Sequence, residues 1–153
     1  MYLSVVLALM LVLPVTSILV ETLLRDHGVL LWPVFGKWWV FWAVGVRLLL
    51  AGIRQILQPR YTAETILGIT GEDALLVVRE LGFANVAIGS VGVGSLFFPE
   101  WAQPAAIAGA LFYGLAGINH FTHEERNVNE NIAMTSDIFT ACVMLSIIIH
   151  RAG

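Results

Sequence analysis

The sequence predicts an all-α, polytopic transmembrane helix bundle of about five spans. Three observations carry that prediction. Of its 153 residues 58% are hydrophobic and only 12% charged, about half the charged share of a soluble domain, and mean hydropathy is +0.83. Nearly uncharged stretches recur at the length a bilayer core of about 30 Å demands, roughly 20 residues in a helix. Short polar tracts bearing proline, glycine or asparagine separate those stretches. The same composition excludes a disordered chain, a nucleic-acid binder with a basic face and a water-soluble enzyme. Net charge is −3 with no long run of either sign, and the lone Cys142 excludes an intrachain disulfide and a cysteine-based zinc site. No repeat or linker divides residues 1–153, so one integral membrane domain is expected.

The first span is the uncharged run that opens the chain and ends at Glu21. It lacks the basic start and small-x-small cleavage site of a secretory signal, so a retained span is expected, kinked at Pro14. The second is the least regular. Gly28–Gly36 is apolar but short, Lys37 intervenes, and Trp38–Leu57 continues with Arg47 and Arg54 inside. At 100° per residue Arg47, Arg54 and Gln58 share one narrow stripe. Lipid-facing arginine is costly, so that stripe should face protein or the membrane boundary; if the segment lies flat in the interface, the spans number four. Pro59 ends this helix, and Gly71-Glu72-Asp73 reads as the start of the next. Ala74–Phe97 forms span three, broken only by Arg79 and Glu80. Pro104 suits a first helical turn, so residues 104–122 make span four. The polar tract His123–Asn131 leads to span five at about residues 132–150, with Asp137 inside.

Five spans set the termini on opposite sides. Trp32, Trp38, Trp39, Trp42 and Trp101 then fall near the side away from the N-terminus, a common level suited to a headgroup layer. Arg54, Arg60, Arg79 and Arg126 outnumber Arg25, Lys37 and Arg151 on the N-terminal side, so the positive-inside rule makes the N-terminus cytoplasmic. Ala106, Ala110 and Gly114 sit four apart on span four, and Gly82, Gly89, Gly92 and Gly94 thin span three. Such spacing lets backbones approach closely: packing within this hairpin is one reading, a homo-oligomer or subunit-contact face another.

Topology also gathers the ionisable groups. Glu80, His120, His123, Glu124, Glu130 and Asp137 converge at the N-terminal end of the bundle. Tyr113, His120 and Glu124 share one stripe, and Glu130, Asp137 and Met144 another. One rotation of each helix aims His120, Glu124, Glu130 and Asp137 inward, and Arg54 or Arg47 could sit beside Glu80. Three readings of the cluster stand side by side. Imidazole and carboxylates on separate helices suit zinc, iron or manganese, although His120-Phe-Thr-His123-Glu124 is not the Glu-x-x-His spacing. The same set could carry protons or bind a small polar ligand. It could also be structural, with Asn127, Asn129 and Asn131 as cap and turn residues. Met10, Met134 and Met144 suit packing gaps, His27 and His150 read as interface residues, and Cys142 lacks an activating neighbour.

Arg79-Glu80-Leu81-Gly82-Phe83-Ala84-Asn85, Gly114-Leu115-Ala116-Gly117 with His120, Arg126-Asn127 with Glu130, and Ala133-Met134 with Ser136-Asp137 together resemble a family of small bacterial and archaeal multi-span membrane proteins of unknown function. The resemblance covers about the last half of the chain. It implies a prokaryotic cell membrane and no particular activity. Two functional classes follow. One is a membrane protein whose polar cluster binds a metal ion, a proton or a small polar ligand. The other is a non-catalytic accessory subunit of a larger membrane complex, docked through its small-residue faces.

Overall fold

Apolar composition and well-placed breakers give six helices among the described residues, which are 2–24, 31–122 and 126–152 of a computed structural model. They are α1 (Tyr2–Leu24), α2 (Leu31–Leu57), a short α3 (Tyr61–Ile66), α4 (Glu72–Gly94), α5 (Ala102–Thr122, led in by a 3₁₀ turn at Pro99–Trp101) and α6 (Val128–Ala152). No strand occurs among the described residues. The fold is the expected all-α bundle, and all its helices but α3 are long and apolar enough to cross a membrane. The second segment is one continuous helix of 27 residues, long and apolar enough to span like the other four.

The breaks fall where backbone chemistry puts them. Gln58 leaves the helical region at φ −136°, ψ 59°, as the residue before a proline tends to. Gly71 stands at φ +110° before α4, a conformation that a side chain would strain. Asn127 caps α6: its Oδ1 accepts from the Glu130 amide at 2.9 Å, satisfying one of the orphan donors of a helix start.

Three segments are wound more widely than an α-helix, with i→i+5 backbone bonds: Ala8–Val12 in α1, Val40–Val46 in α2, and α3 itself. Such turns are rare and concentrate where a helix is distorted for a purpose. Hydrophobic periodicity assumes one uniform winding and gives no sign of them.

Helix α2 runs through the middle. Val40, Ala43, Val44 and Leu48 are buried against Ala105, Ala106, Tyr113 and Met144. Helix α4 lies on α2 through glycines from both sides. A Cβ on Gly89 would sit 2.5 Å from the Leu49 amide nitrogen, one on Gly92 would sit 2.6 Å from Gly45 Cα, and one on Gly52 would sit 2.6 Å from the Gly82 carbonyl. Helices α5 and α6 pair through Gly117, whose Cβ would meet Ile138, while Gly109 receives Val44. This corrects the expected hairpin of spans three and four. The small-residue spacing marks faces that approach closely, but the glycine face of α4 closes on α2, and Gly94 lies instead under the Trp101 ring. The tryptophans are corrected in part as well: Trp39 is a core residue, 4% exposed, rather than a headgroup ring.

Polarity is inverted relative to a water-soluble bundle. Ile107, Leu111, Leu115 and Ile118 form an exposed apolar stripe on α5, while Gln55, Asn85, His120, Glu130, Asp137 and Thr140 are buried.

Candidate functional site

The buried polar groups collect where α1, α4 and α6 begin and α2 and α5 end. Arg47 follows the wide turn of α2 and reaches α6. Its guanidinium donates to Asp137 at 2.7 Å, Ser136 at 2.9 Å and Thr140 at 3.3 Å. It also lies 4.6 Å above the centre of the Tyr113 ring. The Tyr113 hydroxyl donates 2.7 Å to the carbonyl of Ala43, inside that wide turn. A planar fork bonded on several edges and faced by an aromatic ring is how an arginine is held away from water. Breaking such a buried pair costs far more than the pair contributes relative to apolar residues.

A second pair joins α5 to α6: His120 Nδ1 and Glu130 Oε1 are 3.2 Å apart, both residues buried. A third contact joins α2 to α4, where the Asn85 amide donates 2.8 Å to Gln55 Oε1. The segment after α2 closes this end. Asn127 and Asn129 donate to the carbonyls of Ile66 and Thr65 at 3.0 and 3.2 Å, which ties α3 to the start of α6. Tyr61 of α3 then stacks on Arg54, whose guanidinium carbon is 3.5 Å from the ring centre.

These contacts surround a cavity of about 270 Å³. Arg47, Arg54, Asn85, Tyr113, His120 and Asp137 line it, and Val5, Leu9, Ala51 and Phe112 supply much of its apolar wall. That volume lies at the lower end of small-molecule pockets. Leu9 comes from the wide turn of α1 and Tyr61 from that of α3, while Arg47 directly follows that of α2. Two of the three distorted segments therefore border this space, and the third ends one residue short of it.

The expected cluster is assembled in part. His120, Glu130 and Asp137 are brought inward, together with Tyr113 and Met144 on the same stripes. Glu80 is not: it is exposed on the outer side of α4. The face of α4 that packs on α2 runs through Val78, Gly82, Asn85 and Gly89, and Glu80 lies about 200° around the helix from Gly82. Neither arginine stands beside it, since Arg47 is engaged by Asp137 and Arg54 by Tyr61. His123 and Glu124 lie outside the described residues. Among the described residues no three of His, Cys, Asp and Glu come together, so the expected ligand set for zinc, iron or manganese is not formed there. The carboxylates are taken up by Arg47 and His120 instead. Gln55, Asn85 and Tyr61 were not singled out from the sequence. Gln55 and Asn85 carried a usable signal, as lone amides inside apolar spans, which rarely stay unpaired.

The arrangement defines a class: an all-α bundle of long apolar helices that gathers several buried ionisable groups around a partly open, largely apolar cavity. The chain belongs to the family of unknown function DUF6790, whose model matches residues 4–152. The resemblance to an uncharacterised family thus holds across nearly the whole chain. No curated protein and no solved structure matches it.

Proposed function

We propose that this chain is an integral membrane protein that binds a small anionic ligand in the cavity to which all six helices contribute. The exposed apolar stripe on α5 and the buried polar interior support the membrane reading, because both are unfavourable in water and suited to lipid. On the basic-residue count the cavity end faces the cytoplasm.

One observation carries the ligand reading. Among the described residues no carboxylate stands within ion-pair reach of Arg54, so the cavity holds one cation answered only by an aromatic face. The accessory-subunit reading has less support, since Gly82, Gly89, Gly92, Ala106 and Ala110 are consumed inside the bundle rather than left on its surface.

The test is thiol labelling. In a Cys142→Ser background, Ala116→Cys places one thiol on the cavity wall. Its modification rates by an anionic and a cationic methanethiosulfonate are compared with and without Arg54→Gln. A unit charge about 10 Å away at an effective dielectric near 20 is worth roughly 1.7 kcal/mol. Arg54→Gln should therefore slow the anionic reagent and speed the cationic one by about tenfold each, lowering the anionic-to-cationic rate ratio roughly 10²-fold. An unchanged ratio, or a thiol that neither reagent reaches, would overturn the reading.

A further inference from the structure

The cavity wall holds a second unmet group, and it narrows the ligand. Asn85 is 2% exposed. Its amide nitrogen is spent on Gln55, while its Oδ1 has no hydrogen-bond partner. A buried carbonyl oxygen left without a donor costs about 1–3 kcal/mol, and Asn85 belongs to the wall shared with Arg54 and Gln55, with its Oδ1 shielded just behind that surface. Asparagine χ2 is a broad torsion, so the oxygen can meet a donor presented from the cavity by a small turn of the amide.

Resting on the anion-binding reading above, we infer that the ligand is a small monoanionic acid that carries a neutral hydrogen-bond donor, a hydroxyl or an amide N–H, on a short apolar chain. Each feature answers a group on the wall. The acid meets Arg54, the arginine of the cavity wall that no carboxylate of the described residues pairs with. The donor meets Asn85 Oδ1. It is neutral because an ammonium group would stand beside Arg54 and be repelled. The apolar chain lies along Leu48, Ala51 and Phe112. A monoanion suffices, since Arg47 is already compensated by Asp137. A cavity of about 270 Å³, at the small end of ligand pockets, suits a short free acid better than a whole two-chain lipid.

The experiment uses the full chain in nonionic detergent and isothermal titration calorimetry against an empty-micelle blank. The probes are hexanoate, 3-hydroxyhexanoate and hexyltrimethylammonium. 3-Hydroxyhexanoate should bind about 3- to 10-fold more tightly than hexanoate, the range of one neutral hydrogen bond. Asn85→Leu should erase that preference while keeping hexanoate binding. Arg54→Gln should weaken both acids, and the cation should not bind. Equal affinities for the two acids, or a preference that survives Asn85→Leu, would overturn the donor assignment and leave the anion site standing, provided Arg54→Gln still weakens hexanoate. If neither acid binds, or the cation binds as well as they do, the anion-binding reading falls and this inference falls with it. Far-ultraviolet circular dichroism of Asn85→Leu guards against misfolding, with Asn85→Asp as a second variant. It replaces the amide with a carboxylate beside Arg54 and should weaken both acids.

Discussion

The glycine contact between α2 and α4 gives the sharpest test of the packing. A Cβ on Gly89 would lie 2.5 Å from Leu49 N and 2.9 Å from both Gly45 O and Leu49 Cα. All three are backbone atoms of a helix that cannot rotate out of the way. Ordinary contact begins near 3.4 Å, so Gly89→Ala must part the helices by about 0.9 Å. That loosens the neighbouring Gly45–Gly92 and Gly52–Gly82 contacts together. Overpacking of this kind costs about 1–3 kcal/mol. Gly114→Ala is the matched control, because its new Cβ would meet only Ala141 Cβ at 3.8 Å. Both substitutions carry the same gain in helix propensity, of about 1 kcal/mol, so the difference between them isolates packing. We expect Gly89→Ala to be less stable than Gly114→Ala by about 1–3 kcal/mol. Unfolding by dodecyl sulfate in mixed micelles, followed by tryptophan emission, reads it, since Trp39 is buried and Trp101 packs on Gly94. Equal stability of the two variants would refute the close crossing of α2 and α4.

Two further outcomes follow from the polar contacts. Asp137→Asn strands the Arg47 charge in the bundle and should cost about 3–5 kcal/mol, whereas the apolar double variant Arg47→Met/Asp137→Leu should lose much less; a double variant as unstable as Asp137→Asn in the same unfolding assay would argue against a buried pair. Asn127→Ala removes both the cap of α6 and the bond to Ile66, and should cost about 1–2 kcal/mol. Hydrogen exchange should show that loss first in α3 and the first turn of α6, and protection unchanged there would count against the tie.

What the sequence made legible was periodic or local. Five long helices could be read because apolar runs of bilayer length alternate with Pro59, Gly71 and Asn127, each a breaker or cap by its own chemistry. The inward faces of α5 and α6 could be read because Tyr113 and His120, or Glu130, Asp137 and Met144, recur at seven-residue intervals. Partner choice could not be read. Periodicity says that Gly82, Gly89 and Gly92 share a close-packing face, and nothing in that face distinguishes α2 from α5 as its neighbour. Glu80 was misplaced for the same reason, since its depth along the helix was considered without its angle to that glycine face. Arg47 and Asp137 lie 90 positions apart, and their pairing depends on two helices meeting at one register. The wide turns left no trace, because apolar residues fill them as readily as an α-helix.

Pairing decides the character of the cavity. Asp137 answers Arg47, so that pair acts outward as a dipole whose field falls away faster than that of a single charge, while Glu130 and His120 hold each other by a hydrogen bond. Arg54 is different: stacking on Tyr61 holds the guanidinium in place without cancelling its charge. The sign felt by a ligand is therefore set by Arg54, and the inner pairs act chiefly as wall. Asp137→Asn separates these two parts in one variant. It releases the Arg47 charge into the same space, so the bundle should lose stability while the cavity becomes more attractive to anions. The anionic-to-cationic labelling ratio at Ala116→Cys should then rise as the unfolding midpoint falls. A ratio that fell along with stability would mean that Asp137 holds the cavity open, and that its charge has little bearing on what enters.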